Sequence, residues 1–255
     1  MTSHETAAAS AEWFADDAFW RETFPFMFPE SRVAAAAAEV DQIVALTGKT
    51  EGHVLDLACG PGRHSVAFAK RGFTVTGIDR TSFLLEHARA REQREDVHVE
   101  WIESDMRRFT RPRAFDLAVC LFTSFGFFRE DADNQRVLDN VARSLRPGGA
   151  FVMDMIGKEV LARIFAATSS NDIPGGLMVQ RRRVVDGWNR IQNEWMLVRD
   201  GMVRSFHFSH WVYSGREITQ MLKVAGFGDV KLFADYAGAP YGTEAGRLVV
   251  VGRLA

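Results

Sequence analysis

Residues 54–65 read VLDLACGPGRHS, and this stretch decides how the surrounding chain folds. It begins as an apolar run around Asp56, continues into a turn that contains Gly60 and Gly62, and leads into the helical stretch RHSVAFAKRG. A buried strand that ends in a glycine turn at the start of a helix is typical of nucleotide-binding folds, because glycine has no Cβ and lets the backbone approach a ligand closely. The stretch therefore predicts a nucleoside-binding turn.

The same turn departs from G-x-G-x-x-G, the fingerprint of dinucleotide-binding proteins. Ser65 stands where that pattern has its third glycine, and the strand carries an acid, Asp56, four residues before Gly60. A carboxylate at the rim of the site repels a pyrophosphate and suits an amino group or another cation. The turn thus favours a ligand that carries an ammonium and a sulfonium over one that carries two phosphates.

Short apolar runs alternate with helical stretches through the central part of the chain, which indicates parallel strands joined by right-handed crossovers. The runs HVLDLA, FTVTGID, VHVEWIESD, FDLAVCLF and AFVMDMI are nearly continuous in apolar character, as in a sheet covered on both faces. GDVKLFADY and GRLVVVGR supply two last strands. We predict an α/β, Rossmann-like fold with a seven-stranded, mostly parallel sheet and helices on both faces.

Residues 177–213 have a different pattern and hold three extended stretches. Asp186-Gly187 and Asp200-Gly201 separate these stretches, and Asp-Gly between alternating runs is a strong hairpin signal. The pattern predicts a small three-stranded antiparallel meander inserted before the last part of the sheet.

The glycine turn and its neighbours resemble a known family. VLDLACGPG is similar to the first motif of the class I S-adenosylmethionine-dependent methyltransferases, acid-x-Gly-x-Gly-x-Gly, with Ala58 in place of the first glycine. LFTSFGFF, DNQRVL and LRPGG resemble a bacterial small-molecule subgroup of that family, which includes glycine- and natural-product-methylating enzymes. The resemblance implies S-adenosylmethionine as cofactor and transfer of its methyl group to a small-molecule acceptor, at a nitrogen, oxygen or carbon atom.

The resemblance also suggests a division of the chain into three parts. Residues 1–48 are predicted as an N-terminal helical lid, because aromatic residues are dense there and related enzymes carry a lid at this position. Docking of these aromatics on the core without a gating role is the alternative. Residues 49–168 and 214–255 are predicted to form the S-adenosylmethionine-binding domain, and residues 169–213 the meander near the acceptor pocket.

The cofactor residues follow from matching the family's motifs onto this sequence. Asp79 ends the second strand and would bind both ribose hydroxyls; Asp105 would face the adenine amino group with Met106 against the ring. A helix-capping acid and a surface-turn acid are the structural alternatives for the two carboxylates. The full predicted set of cofactor-binding residues is Arg32, Asp56, Ala58, Cys59, Gly60, Gly62, His64, Asp79, Arg80, Asp105, Met106, Leu121 and Phe122.

The acceptor is predicted to lie beyond the fourth strand. Four residues are predicted to bind the acceptor: Thr123 and Ser124, which follow that strand, and Trp20 and Phe24, which belong to the predicted lid. Methyl transfer from a sulfonium needs alignment and exclusion of water more than a dedicated base. His210, in an apolar strand, and Tyr241, after the penultimate strand, are the candidate catalytic residues. A histidine satisfied within the core or at the surface is the alternative for His210.

The composition narrows the classes of function. The chain has 255 residues, 47% of them hydrophobic, and a net charge of -2, so no global basic field attracts nucleic acid or an anionic membrane. Two cysteines in apolar segments and no signal peptide lead us to expect a cytoplasmic protein, and no metal site is predicted. An RNA or protein methyltransferase, a nicotinamide-dependent oxidoreductase and a non-catalytic interaction module remain as alternatives.

Overall fold

The computed structural model describes residues 12–255. The predicted lid therefore extends, through residues 1–11, outside the described part of the chain. Seven α-helices are described, together with short 3-10 helices at Trp13–Ala15 and Asp186–Trp188. The α-helices are α1 (Asp17–Met27), α2 (Glu30–Thr47), α3 (Arg63–Lys70), α4 (Ser82–Glu95), α5 (Asp131–Ser144), α6 (Lys158–Ile164) and α7 (Gly215–Val224).

Eleven strands of the described chain form two sheets. The seven-stranded sheet has the order β10-β11-β5-β4-β1-β2-β3, and the four-stranded sheet the order β6-β7-β8-β9. The strands are β1 (His53–Leu57), β2 (Thr74–Asp79), β3 (Glu100–Glu103), β4 (Phe115–Cys120), β5 (Leu145–Met155), β6 (Thr168–Ile173), β7 (Gly176–Val185), β8 (Arg190–Arg199), β9 (Met202–Trp211), β10 (Phe227–Phe233) and β11 (Leu248–Leu254).

The predicted α/β fold is confirmed. Strands β3, β2, β1, β4 and β5 pair in parallel, and β11 pairs antiparallel with both β5 and β10. The two faces of the sheet bury separate hydrophobic clusters, one around Leu55 and Phe151 and the other around Val54 and Phe68. Alternate residues of β1 thus enter opposite cores, which explains why its sequence is apolar on nearly every position.

The inserted sheet has four strands, so the prediction of a three-stranded meander was wrong in number. The extra strand, β6, has the polar sequence TSSNDI and pairs antiparallel with β7. Only Ile173 of this strand is buried, and an edge strand with so few buried side chains carries no alternating apolar signal. The predicted turn at Asp200-Gly201 is confirmed, with positive φ at both residues.

Two helix termini carry recognisable capping signals. Gly48 ends α2 in the left-handed conformation, and Ser214 and Glu217 form the capping box of α7. Helix α5 ends at Ser144, and β5 begins at Leu145, before Pro147-Gly148-Gly149. Within residues 12–255, no helix combines the length and the hydropathy that crossing a bilayer requires.

Candidate active site

The glycine turn links β1 to α3 through residues in the left-handed region. Ala58, Gly60 and Gly62 have φ values of 52°, 56° and 74°. Ala58 adopts this conformation although it carries a Cβ, at a cost of about 1–2 kcal/mol. The amide of Cys59 donates to the carbonyl of Ile78 at 3.0 Å, which ties the turn to the end of β2. The first two strand ends of the parallel sheet are therefore held side by side.

The two glycines of this turn face opposite directions. A Cβ on Gly60 would point toward the ring of Phe28, 3.7 Å away, across the cavity described below. A Cβ on Gly62 would lie 2.6 Å from the indole of Trp101 and 3.0 Å from Ala88. Gly62 does not line the cavity and packs against Trp101 and Ala88 instead, so its contact with a cofactor stays a prediction.

Two buried carboxylates stand at the ends of β1 and β2. Asp79 accepts the amide protons of Gly60 at 2.8 Å and Thr81 at 2.9 Å. Asp56 accepts the hydroxyl proton of Ser65 at 2.5 Å. Burial raises the pKa of both aspartates, and each is less than a tenth exposed. In the described part of the chain neither carboxylate hydrogen-bonds to a lysine or arginine side chain, so each retains capacity for a ligand.

A glutamate of α2 ties the N-terminal helices to the start of α3. The Glu39 carboxylate contacts Arg63 Nη1 at 2.7 Å and His64 Nε2 at 2.6 Å. Burial alone would raise the pKa of Glu39, but the hydrogen bond from His64 and the charge of Arg63 lower it to about 2. Both partners line the cavity beside Asp56, so α2 fixes the side chains that surround the turn.

Asp105 lies in a network of charges at another edge of the cavity. Arg107 Nε contacts its two carboxylate oxygens at 3.0 and 3.1 Å, and Arg80 Nη1 lies 3.4 Å away. Hydrogen bonds from Arg107 lower the pKa of Asp105 although burial opposes this. Glu12 bridges Arg80 and Arg107, so the start of the described chain is joined to the loop after β3.

The loop after β4 forms one wall of the cavity. Leu121, Phe122, Thr123 and Ser124 all line it. The Phe122 ring lies 4.5 Å from the Arg32 guanidinium carbon, within the range of a cation–π contact. Arg32 does not line the cavity; its guanidinium contacts Phe122 and donates to the carbonyl of Met27, and its role in cofactor binding stays a prediction.

An aromatic roof covers the cavity, formed by Trp13, Phe14 and Trp20 together with Phe127 and Phe128. Trp13 stacks on Phe208 of β9 with ring centroids 4.6 Å apart, which joins the N-terminal segment to the inserted sheet. The Trp20 indole N–H donates to the carbonyl of Phe14 at 2.8 Å. With Phe208 counted as part of it, the roof is built from three segments that are distant in sequence.

Most predicted site residues border this one cavity. The predicted residues that line it are Asp56, Ala58, Cys59, Gly60, His64, Asp79, Arg80, Asp105, Met106, Leu121, Phe122, Thr123, Ser124 and Trp20.

Three other predicted residues lie away from it. Phe24 stacks on His87 at 4.1 Å, on α4. The Tyr241 hydroxyl donates to Glu159 at 2.8 Å, so this side chain is engaged at α6. His210 packs behind Phe127 and contacts Asn193 at 3.2 Å.

The cavity also contains residues that were not predicted to bind a ligand. Trp13, Phe14 and Phe28 were recognised only as part of an aromatic segment, and Phe127 and Phe128 only as part of SFGFF. Thr81, Leu84, Ser104 and Arg63 carried no signal beyond their position next to a motif. The density of aromatic residues was the one available clue. A single helix cannot bury so many aromatic side chains by itself, so they must pack against another part of the protein.

Comparison with known proteins finds similarity to methyltransferases. Residues 54–149 match a family profile described as "Methyltransferase domain". The chain is 28% identical over 221 residues to the cypemycin N-terminal methyltransferase of a Streptomyces species, covering 86% of this chain and 88% of that protein. It is 33% identical over 121 residues to dTDP-4-amino-2,3,4,6-tetradeoxy-D-glucose N,N-dimethyltransferase of Saccharopolyspora spinosa, covering 48% of this chain and 47% of that protein.

Solved structures show the same fold. An S-adenosylmethionine-dependent methyltransferase from Clostridium acetobutylicum superposes with a TM-score of 0.79 at 16% identity, covering 94% of this chain and 98% of that one. CalS10, an amino pentose methyltransferase from Micromonospora echinaspora, gives a TM-score of 0.66 at 22% identity and covers 99% of this chain and 100% of its own. Residues 54–149 are thus similar to a methyltransferase domain, the chain is similar over most of its length to a methyltransferase, and it shares the fold of solved S-adenosylmethionine-dependent methyltransferases.

Proposed function

We propose that this protein transfers a methyl group from S-adenosylmethionine to the nitrogen of a small-molecule amine. The observation that carries the proposal is the pair of buried carboxylates, Asp56 and Asp79, which face one cavity without a cationic side-chain partner among the described residues. Hydrogen bonds from Ser65, Gly60 and Thr81 satisfy part of each carboxylate, and the negative charge that remains is costly to bury without a cation. A ligand with an ammonium group and vicinal hydroxyls satisfies both, whereas a pyrophosphate would be repelled.

The residues present fit S-adenosylmethionine. Asp56 would hold the ammonium group and Asp79 the ribose hydroxyls, and the absence of a side chain at Gly60 leaves room for the ligand between the turn and Phe28. Asp105 and Met106 would border the adenine. When bound, this cofactor supplies an activated methyl group on a sulfonium.

The remaining task of the protein is alignment of the acceptor and exclusion of water. Thr123 and Ser124 offer hydroxyl groups at the wall, and the aromatic roof closes the cavity above them. Alignment of this kind is worth about 7–11 kcal/mol of the barrier in well-oriented reactions. The protein can therefore accelerate transfer without forming a covalent bond to the methyl group.

The chemistry of the roof favours an amine over a hydroxyl acceptor. Among the described residues that line the cavity, His64 is the only imidazole, and its Nε2 is engaged with Glu39 at 2.6 Å; neither the hydroxyls of Thr123 and Ser124 nor the aromatic roof offers a base at neutral pH. A hydroxyl acceptor needs a base, whereas an amine can enter the cavity after losing its proton to solvent. The name of one relative above, an N,N-dimethyltransferase that acts on an amino sugar nucleotide, supports the same choice.

Calorimetry with S-adenosylhomocysteine, the demethylated product, tests the cofactor half of the proposal. We expect micromolar binding by the wild-type protein and a loss of about 100-fold in affinity for Asp79→Ala, because the ribose contacts are lost and the amides of Gly60 and Thr81 lose their acceptor. NADH serves as the competing ligand. Binding of NADH without binding of S-adenosylhomocysteine would show an oxidoreductase instead.

Transfer of isotope-labelled methyl from S-adenosylmethionine to a panel of small amines and phenols tests the acceptor half. Labelling of amines alone supports the proposal. Labelling of phenols alone, or of bulk RNA in a salt-sensitive manner, contradicts it.

A further inference from the structure

The loop after β4 has an unusual backbone. Phe122 and Thr123 are consecutive residues with φ values of 62° and 60°, and neither is glycine. Each pays a steric penalty in the left-handed region, so such a conformation persists only where surrounding contacts impose it. The loop lies at the cavity wall, which makes the source of that constraint relevant to function.

Asp154, on β5, supplies the constraint. It is 2% exposed, and its Oδ1 accepts the amide proton of Phe122 at 2.5 Å. Its own carbonyl oxygen accepts the amide proton of Thr123 at 3.1 Å. One residue thus fixes both strained positions, through its side chain and its main chain.

A second layer holds the Asp154 side chain in place. Arg247 forms an ion pair with the carboxylate and also donates to Thr123 Oγ1 at 2.7 Å. Tyr236 lies beside the carboxylate, and burial together with the negative charge of Asp154 raises the pKa of its hydroxyl. Asp154 therefore connects the loop after β4 to the segment that precedes β11.

The side chain whose position depends on this loop is Phe122. Its ring lies 4.5 Å from the guanidinium of Arg32 and 5.3 Å from that of Arg63, and 6.2 Å from the ring of Phe28. If the backbone relaxed to a common conformation, the ring would leave these partners. Because Phe122 and Thr123 both line the cavity, such a change would reshape the boundary between cofactor and acceptor.

We infer that Asp154 is a positioning residue, which fixes the left-handed backbone of Phe122 and Thr123 and thereby the wall of the ligand cavity. The inference rests on the proposed function for the identity of the ligand. Asp154 itself is absent from the cavity lining and acts through the loop.

Asp154→Ala and Asp154→Asn test the inference by calorimetry with S-adenosylhomocysteine. We expect Asp154→Ala to weaken affinity about tenfold, and Asp154→Asn about threefold, because an amide oxygen can still accept the Phe122 proton in a weaker, neutral bond. In a Phe122→Leu background the effect of Asp154→Ala should shrink to about twofold or less, since residues that act through one another are not additive.

Asp116→Ala is the matched control. Asp116, at the opposite end of the sheet on β4, accepts the amide proton of His53 at 2.9 Å and pairs with Arg146. It is therefore the same kind of clamp, remote from the cavity. We expect this variant to lose stability while its affinity for S-adenosylhomocysteine stays within about twofold of wild type.

Amide hydrogen exchange in the ligand-free protein tests the clamp separately from the ligand. Asp154→Ala should expose the Phe122 amide to exchange while Val152, within the same sheet, stays protected. If Asp154→Ala does not fold, Arg247→Gln, at a partly exposed position, should produce the same loss of protection at smaller amplitude.

Unchanged affinity in Asp154→Ala, a full additive loss in the Phe122→Leu background, or an unchanged Phe122 amide would each overturn the inference. Failure of the wild-type protein to bind S-adenosylhomocysteine would overturn the proposed function instead, and amide exchange would still decide whether Asp154 fixes the loop.

Discussion

The floor and the roof of the cavity are built in different ways. The floor consists of polar groups at strand ends, Asp56 and Asp79, held by hydrogen bonds to the neighbouring backbone. The roof consists of aromatic rings, such as Trp13 and Phe208, that pack across segments distant in sequence. A floor of this type recognises one constant molecule by charge and hydrogen bonds, whereas a roof of this type can change with the acceptor. The comparison explains why the floor follows one recognisable motif, whereas the roof draws on several separate segments.

The largest expected effect concerns the glycine turn that follows Asp56 of the floor. In this turn Gly62 packs against Trp101. Gly62→Ala should lower the free energy of unfolding by about 3 kcal/mol, as backbone strain and overpacking against the indole add together. Denaturation in urea, followed by circular dichroism, measures the loss.

Gly48→Ala is the matched control for Gly62→Ala. Gly48 has a similar φ of 67°, but nothing lies within 4 Å of an added Cβ, so only the strain of about 1–2 kcal/mol is expected. Equal losses in the two variants would show that Gly62 has no packing role, and would reopen its assignment to the cofactor.

The floor could be predicted from sequence because its residues occupy regular positions. The ends of parallel strands meet at one edge of a sheet, so Asp56 and Asp79 come together once the strands are recognised. Whether a glycine borders the cavity or packs against the protein, in contrast, depends on its neighbours in space. The Cα of Gly62 faces Trp101 of β3. Spacing within the turn contains no information on that contact.

The roof and its surroundings could not be predicted, because the position of each side chain there depends on contacts with residues that are distant in sequence. His210 alternates with Phe206 and Phe208 as expected for one strand face, yet Phe127 lies against its ring, so His210 does not line the cavity. Tyr241 follows a strand, but its hydroxyl finds Glu159 on α6. Both outcomes are set by partners far away in sequence.

The second expected effect concerns His210 behind the roof. Burial lowers the pKa of His210 to about 4, so between the ordinary value of 6.5 and pH 4 the unfolded chain binds a proton that the native protein excludes. The contribution of a neutral His210 is therefore complete above pH 6.5 and is lost as the pH falls toward 4. The loss amounts to at most about 3 kcal/mol.

Urea denaturation of His210→Asn between pH 7 and pH 4 measures this contribution. We expect the variant to lose less stability than the wild-type protein over this range. His207→Asn, on the exposed face of the same strand, is the control and should follow the wild-type profile. Parallel pH profiles for wild type and His210→Asn would show that His210 is protonated as easily in the native protein as in the unfolded chain.

The smallest expected effect concerns the contact that joins roof to floor. Glu12 precedes Trp13 in the roof and bridges Arg80 and Arg107 beside Asp105 in the floor. Its side chain is 34% exposed, and ion pairs at such positions contribute about 0.2–1 kcal/mol. Glu12→Gln should therefore accelerate dissociation of S-adenosylhomocysteine about two- to fivefold at low salt, because it weakens the attachment of the N-terminal segment. The difference should vanish near 1 M NaCl, where screening shortens the range of charges to about 3 Å.

Glu22→Gln, which removes a pair with Arg204 remote from Asp105, is the control for a general change in charge. Stopped-flow measurements that give equal rates for Glu12→Gln and Glu22→Gln would show that aromatic packing alone, without the ion pairs, holds the roof over the floor.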